Sequence, residues 1–436
     1  MSHLASPLAH APLAATAEGL RSGVLSLEAY INDACDRLDQ FEPRVRAVLP
    51  EPGRRERLLD EARALRARHP DLLTLPPLFG VLVGAKDIFA VDAMPTRAGS
   101  ALPPEAFAMP EAPAVSRLKA AGALILGKTV STEFAYFDPG ATTNPHRADR
   151  TPGGSSSGSA AAVACGYAAL ALGSQTVGSL IRPAAYCGVV AFKPSYGRIP
   201  TEGVVAYSPS VDHVGFFTQD VAGARLAASV LVNGWSEGPA RPGLPVLGVP
   251  EGPYLEQAEP EALQAFELTV AGLMAGGVDV RRVRILDDIA TVNARHAAIA
   301  TAEFGEQHAE RFAQYGPLYR AASAALFDAA QAVSAGDRLE GFASREALRH
   351  RLDTAAQEEG IDAWVSPAAR GPAPVGLRST GDPVMNLPWT HAGLPAITVP
   401  AGNVDGMPLG LQMAGRFGGD EALFDVAEAL LPLLAS

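Results

Sequence analysis

A chain of 436 residues, 48% hydrophobic and 19% charged, has ample apolar material for a large core, which excludes a disordered or fibrous protein. Its formal net charge of −12 works against nucleic acid and anionic membranes as general partners. Three scattered cysteines, Cys35, Cys165 and Cys187, form no CxxC pair, so neither a disulfide framework nor a zinc site is suggested, and a reducing, cytoplasmic setting is expected.

The N-terminal MSHLASPLAHAPLAATAEGL has no basic stretch followed by an apolar block, and no segment reaches the length of a membrane span, so a soluble, unprocessed protein is expected. Leu27, Ile31, Ala34 and Leu38 recur at helical spacing and predict an amphipathic helix that leads the fold and closes at Glu42-Pro43. Pro76 to Gly80 then introduce Val81 to Lys86, an apolar run too short for a helix and suited to a covered strand, with Lys86 at its end. Further apolar runs at 123–126, 189–192 and 396–399 alternate with helical stretches. The fold class this predicts is α/β, one large mixed, mostly parallel sheet with helices on both faces.

Thr151 to Pro200 is the stretch most suited to chemistry. Gly153-Gly154-Ser155-Ser156-Ser157-Gly158 is a special backbone path, because glycine and serine both work against regular structure. The uncharged Ser159 to Leu172 predicts a helix buried on all sides. Thr176-Val177-Gly178-Ser179 then forms a second loop whose N–H groups can converge on an anion. Gly234 to Leu244 reads as a linker or a long surface loop, and residues 261–359 read as mainly helical, a lid or a subdomain.

Four pattern matches compete. Gly122 to Thr129 fits the phosphate-loop pattern G-x-x-x-x-G-K-[ST], which keeps a nucleotide-binding protein as an alternative, although Ala-Leu-Ile-Leu between its glycines resembles a strand rather than a cradle. Ser116 and Lys119 fit S-x-x-K without its partner motifs and predict the exposed side of an ordinary helix. Gly154 to Gly158 fits the G-x-S-x-G elbow with Ser156 as nucleophile and Asp212, His213, Asp362, Asp382 or His391 as partners. The fourth is Lys86 with Ser155 and Ser179, since a lysine kept neutral by burial can serve as the base for a serine. Against it stand a Lys86 paired with Asp87 and serines that only make turns.

Along most of its length the sequence resembles the amidase signature hydrolases. The resemblance runs through PLFGVLVGAKDIFAV, AAGALILGKTVSTEFA, TNPHRADRTPGGSSSGSAAAVA, SLIRPAAYCGVVAFKPSYGRIP, AGLPAITVPAG and PLGLQMAGR. It implies one amidase domain over 1–436, with the signature core at 65–230 and a helical region at 255–360 contributing to the substrate pocket. It further implies a catalytic lysine at Lys86, a bridging serine after a cis peptide at Ser155, and a nucleophile at Ser179, spaced by 69 and 24 residues. Backbone N–H groups of Thr176, Val177, Gly178 and Ser179 would form the oxyanion hole, and Gly154, Ser156 and Trp389 would contact substrate. No metal or cofactor is expected, and the expected partner is a small amide met by a monomer or homodimer. A glutaminase-type subunit of a tRNA-dependent amidotransferase stays open as an alternative.

The sequence departs from the family in one loop. Gln175 and Ile181 take the places of an aspartate and an arginine, which suggests a neutral contact in place of an ion pair. Val177 takes the place of a glycine. A β-branched residue resists positive φ, so either the loop avoids that region or the oxyanion hole differs.

Overall fold

The computed structural model of the chain describes residues 6–238 and 243–434. Ten strands in it form one sheet: β1 (Leu82–Lys86), β2 (Leu124–Thr129), β3 (Leu170–Gln175), β4 (Val190–Lys193), β5 (His213–Thr218), β6 (Val246–Glu251), β7 (Asp279–Arg284), β8 (Ala363–Pro367), β9 (Ala396–Val404) and β10 (Met407–Ala414). Their spatial order is β2-β1-β3-β5-β4-β9-β10-β8-β6-β7. The sheet is mixed, as expected, but it is not mostly parallel. Parallel pairing is confined to the wings, β2-β1-β3 on one side and β8-β6-β7 on the other, while every pairing from β3 across to β8 is antiparallel. One reversal in that centre is a two-residue hairpin between β9 and β10, where Asp405 and Gly406 both have positive φ and Val404 pairs with Met407.

Successive residues of a strand face opposite sides. Leu170, Leu172, Val190, Phe192 and Ile397 join one core, while Ala171, Ala191, Phe217 and Ala396 join another built largely of alanine. The helices Ser157–Ala164 and Ile181–Cys187 contribute to the alanine-rich core. Small side chains let these helices lie close to the sheet, and both serine turns are attached to them.

Local differences from the sequence reading have physical causes. A helix Leu13–Ser22 precedes the leading helix, which spans Leu27–Val45 and runs past Pro43. Proline there removes one N–H near the C-terminus, while Ile31, Ala34, Leu38, Phe41 and Val45 keep a continuous buried stripe. The segment Ser159 to Leu172 is not one helix. Gly166 turns the chain at φ 64 after Ala164, and Leu170 to Leu172 enter the sheet between β1 and β5.

The helical region is made of Pro260–Ala275, Ile289–Tyr315, Ala321–Ala330 and Ala335–Glu358, with β7 inserted as a charged edge strand. Residues 239–242 of the expected linker lie outside the described residues, and strands on both sides of that stretch share the one sheet.

Candidate active site

Lys86 ends β1 with its side chain fully buried. Its Nζ lies 2.7 Å from Ser155 Oγ and 2.8 Å from Ser174 Oγ. Burial pushes its pKa down to about 7, opposed by the carboxylate of Asp212. The neighbouring Asp87 does not pair with it. Asp87 is held at 3.1 Å by Lys128, which also donates to the carbonyl of Phe89 and to Thr96 Oγ1. The lysine of the phosphate-loop pattern is therefore spent on a buried ion pair, and Gly127-Lys128-Thr129 lie within β2 rather than in a loop that opens a helix. That geometry overturns the nucleotide-binding alternative. Ser116 stands exposed on the helix Pro113–Ala120, as expected.

The peptide between Gly154 and Ser155 is cis. Around it the turn is braced on all sides. Arg182 Nη2 donates to the Gly154 carbonyl at 2.7 Å, Ser157 Oγ donates to the Gly153 carbonyl at 2.8 Å, and Thr132 N–H donates to the Ser155 carbonyl. Ser156 is fully buried, and its hydroxyl binds both the carbonyl and the N–H of Ser174. This corrects two expectations. Ser156 is a clamp between the turn and the end of β3, which leaves it neither an elbow nucleophile nor a substrate contact. A Cβ on Gly154 would come within 2.6 Å of Thr380 Cγ2, so that glycine answers to packing rather than to an open substrate face. The elbow also lacks its histidine, because the Ser156 hydroxyl is bonded to Ser174 and to neither His213 nor His391.

The second loop is held from behind. Gln175 Oε1 accepts from the N–H groups of Leu180 and Ile181, and Gln175 Nε2 donates to Thr390 Oγ1. Thr390 Oγ1 in turn lies 2.7 Å from the Val177 carbonyl, and Arg182 N–H donates to the Gly178 carbonyl. Val177 is not among the residues with positive φ, so the loop follows a path that a β-branched residue can adopt. Gln175 thus supplies neutral contacts, as its place in the resembled motif suggested.

In a trans peptide the C=O and the next N–H point in opposite directions. Tying back the carbonyls of Val177 and Gly178 therefore turns the N–H groups of Gly178 and Ser179 toward the other side. Among the described residues these two N–H groups and that of Val177 have no other partner. Thr176 Oγ1 donates to Asp212 Oδ1 at 2.6 Å, and Asp212 Oδ2 accepts from the N–H groups of Tyr207 and Ser208.

A cavity of about 90 Å³ borders this arrangement, lined by Ser174, Thr176, Asp212, Tyr207, Val205 and Ile88 among others. Trp389 is not on its wall. The indole is 1% exposed and donates to Tyr254 OH at 2.9 Å, in a polar network behind the loop. Burial in a tight hydrogen-bonded core corrects its expected role as a substrate surface. Sequence reasoning missed Ser174, Thr390 and the clamp made by Gln175. No spacing signal marks them, since Thr390 lies 215 residues from Gln175.

Residues 29–424 match the family model described as Amidase. The chain is similar to a glutamyl-tRNA(Gln) amidotransferase subunit from Thermus thermophilus, with 35% identity covering 97% of this chain and 96% of that protein. It is likewise similar to the protein of the same name from Synechococcus sp. (strain RCC307), with 31% identity over 95% and 96% of the two chains. A solved amidase structure superposes with a TM-score of 0.87 at 32% identity, covering 97% of this chain and all of that one.

Proposed function

This chain belongs to the amidase family, and from that premise we propose that it hydrolyses a small carboxylic amide, or a related ester or carbamate, with Ser179 as nucleophile, Ser155 as proton bridge and Lys86 as base. Neutral Lys86 accepts the proton of Ser155 through its lone pair while an N–H of the same amine donates to Ser174. Ser155 takes the proton of Ser179 as the Ser179 oxygen attacks the substrate carbonyl carbon. The N–H groups of Val177, Gly178 and Ser179 stabilise the oxyanion, and removing one such donor typically costs roughly 2.7–4 kcal/mol. The proton returns along the same path to the departing amine, the C–N bond breaks, and water splits the acyl-enzyme by the reverse relay.

The observation that carries this reading is the 2.7 Å contact between Ser155 Oγ and a fully buried lysine whose pKa is pushed to about 7. A panel of short aliphatic amides, aryl anilides, esters and carbamates, run beside Ser179→Ala, tests it. Mass spectrometry should find the acyl adduct on the peptide carrying Ser179, and full amide hydrolysis by Ser179→Ala would sink the reading.

The amidotransferase subunits that resemble this chain support a second reading, release of ammonia from glutamine in a complex with partner chains. The likeness to a solved amidase supports the simpler amide. Glutaminase activity that appears only with partner chains would favour the second reading. Turnover of simple amides by an isolated monomer or homodimer in a reducing, cytoplasmic buffer would favour the first.

A further inference from the structure

Arg182 follows Ser179 closely in the chain and lies in the first turn of the helix Ile181–Cys187. Its side chain is buried, and its hydrogen bonds leave from Nη2, to the Gly154 carbonyl at 2.7 Å and to Thr380 Oγ1 at 3.1 Å. Nε and Nη1 find no partner among the described residues. The backbone N–H of the same residue donates to the Gly178 carbonyl at 3.1 Å. Arg182 therefore grips both serine turns, each at the carbonyl just ahead of its serine, Ser155 in one and Ser179 in the other.

Stability alone does not account for an arginine here. A cation in the first turn of a helix opposes the helix dipole, and burying a guanidinium with two nitrogens unpartnered costs more than filling the same space with an apolar side chain. Residues that break such local rules are expected where a site needs them. Ile181, which stands where the resembled motif has an arginine, joins the alanine-rich core instead. One position along a helix turns a side chain by about 100°, and at 182 the guanidinium meets the Gly154 carbonyl.

The consequence for Ser155 is geometric. A peptide group is planar, so fixing the Gly154 oxygen fixes the plane that carries the Ser155 nitrogen and Cα. The carbonyl on the other side of Ser155 is held by the Thr132 N–H. With both flanking peptides tied, Ser155 Oγ stays 2.7 Å from Lys86 Nζ. We propose that Arg182 is a positioning residue, a strut that holds the proton bridge Ser155 in register with the nucleophile Ser179, and that its side chain matters most where Ser155 must hand a proton to a poor leaving group. Burial pushes the Arg182 pKa down to about 10, which leaves the guanidinium charged where Lys86 first becomes a base, near pH 7. The inference rests on the proposed relay of Ser179, Ser155 and Lys86.

The test compares, in the full chain, a short amide with an activated aryl ester of the same acyl group. An amine leaves only once it is protonated, whereas an activated aryloxide leaves without a proton, so the amide alone needs the return transfer from Ser155. Arg182→Met should lower kcat/KM on the amide roughly a hundredfold and on the ester less than tenfold. A loss of fold or a displaced Ser179 would lower both alike. Thr380→Val removes only the acceptor that steadies Nη2 and should show the same bias on a several-fold scale. Thermal melts identify an Arg182→Met chain that does not fold, and Thr380→Val then decides. Amide and ester losses of equal size in the deciding variant, or an undiminished amide kcat/KM, would overturn the strut. Full amide hydrolysis by Ser179→Ala would instead overturn the relay beneath it, whereas an inactive Ser179→Ala beside equal losses overturns the strut alone.

Discussion

Lys86 Nζ sits 2.7 Å from Ser155 Oγ, while the carboxylate next to it in sequence, Asp87, is tied to Lys128. Because no carboxylate sits against the amine, burial dominates and the neutral form is accessible near pH 7. The sign is fixed by the role: a base must be deprotonated, so kcat/KM should fall as pH drops through about 7, approaching tenfold per unit below it. Lys86→Met should lose at least roughly a thousandfold in kcat, since the relay then has no terminus. A flat profile between pH 5 and 8 on a non-titrating amide would contradict this assignment.

Asp212 tunes the same group. Its charge raises the Lys86 pKa against the larger effect of burial, so Asp212→Asn should lower that pKa further and move the acid limb of kcat/KM to lower pH. Asn can keep its oxygen on the N–H groups of Tyr207 and Ser208 and donate its Nδ2–H to a rotated Thr176 hydroxyl, so kcat at pH 9 should change less than the limb position. An acid limb that moves upward instead would show that Asp212 acts on some other group.

Much of this was legible beforehand, for reasons that differ by segment. The strand carrying Lys86 was readable because Val81 to Ala85 is apolar on both faces and bounded by Gly80. Ser159 to Leu172 misled because apolar content alone does not separate a buried helix from a buried strand, and only pairing with β1 and β5 decides it. β7 stayed hidden because Asp279 and its arginines fit a charged edge strand as well as a helix surface. Ser155 and Ser179 could be named from motif context, but Thr390, which holds the second loop through Gln175 and the Val177 carbonyl, comes from a distant segment. Its contacts exist only once the sheet has formed.

Gly178 shows how tightly that loop is fitted. A Cβ there would stand 2.3 Å from Asn386 Oδ1 and 2.8 Å from Pro383 Cβ. Asn386 cannot swing away cheaply, because its Nδ2 donates to the Ala368 carbonyl and to Gln412 Oε1 inside the core. Gly178→Ala should therefore push the loop and lower kcat by roughly a hundredfold or more while the protein still folds. Adding Asn386→Ala should recover part of that loss even though it is destabilising by itself. Equal activity of Gly178→Ala and the parent enzyme would show that the loop has slack.

The clamp made by Gln175 allows a last separation of positioning from stability. Its Oε1 satisfies two buried N–H groups, of Leu180 and Ile181, and its Nε2 holds Thr390, whose hydroxyl faces the Val177 carbonyl. Gln175→Leu strands both N–H groups and should cost about 2–4 kcal/mol in urea unfolding, along with most of the activity. Thr390→Val leaves those N–H groups satisfied and removes only the hydroxyl, so it should cost about 1–2 kcal/mol and lower kcat more than KM. If Thr390→Val matched Gln175→Leu in stability but kept full kcat, the Val177 carbonyl would not need its anchor, and the aim of the Gly178 N–H would have to come from the backbone alone.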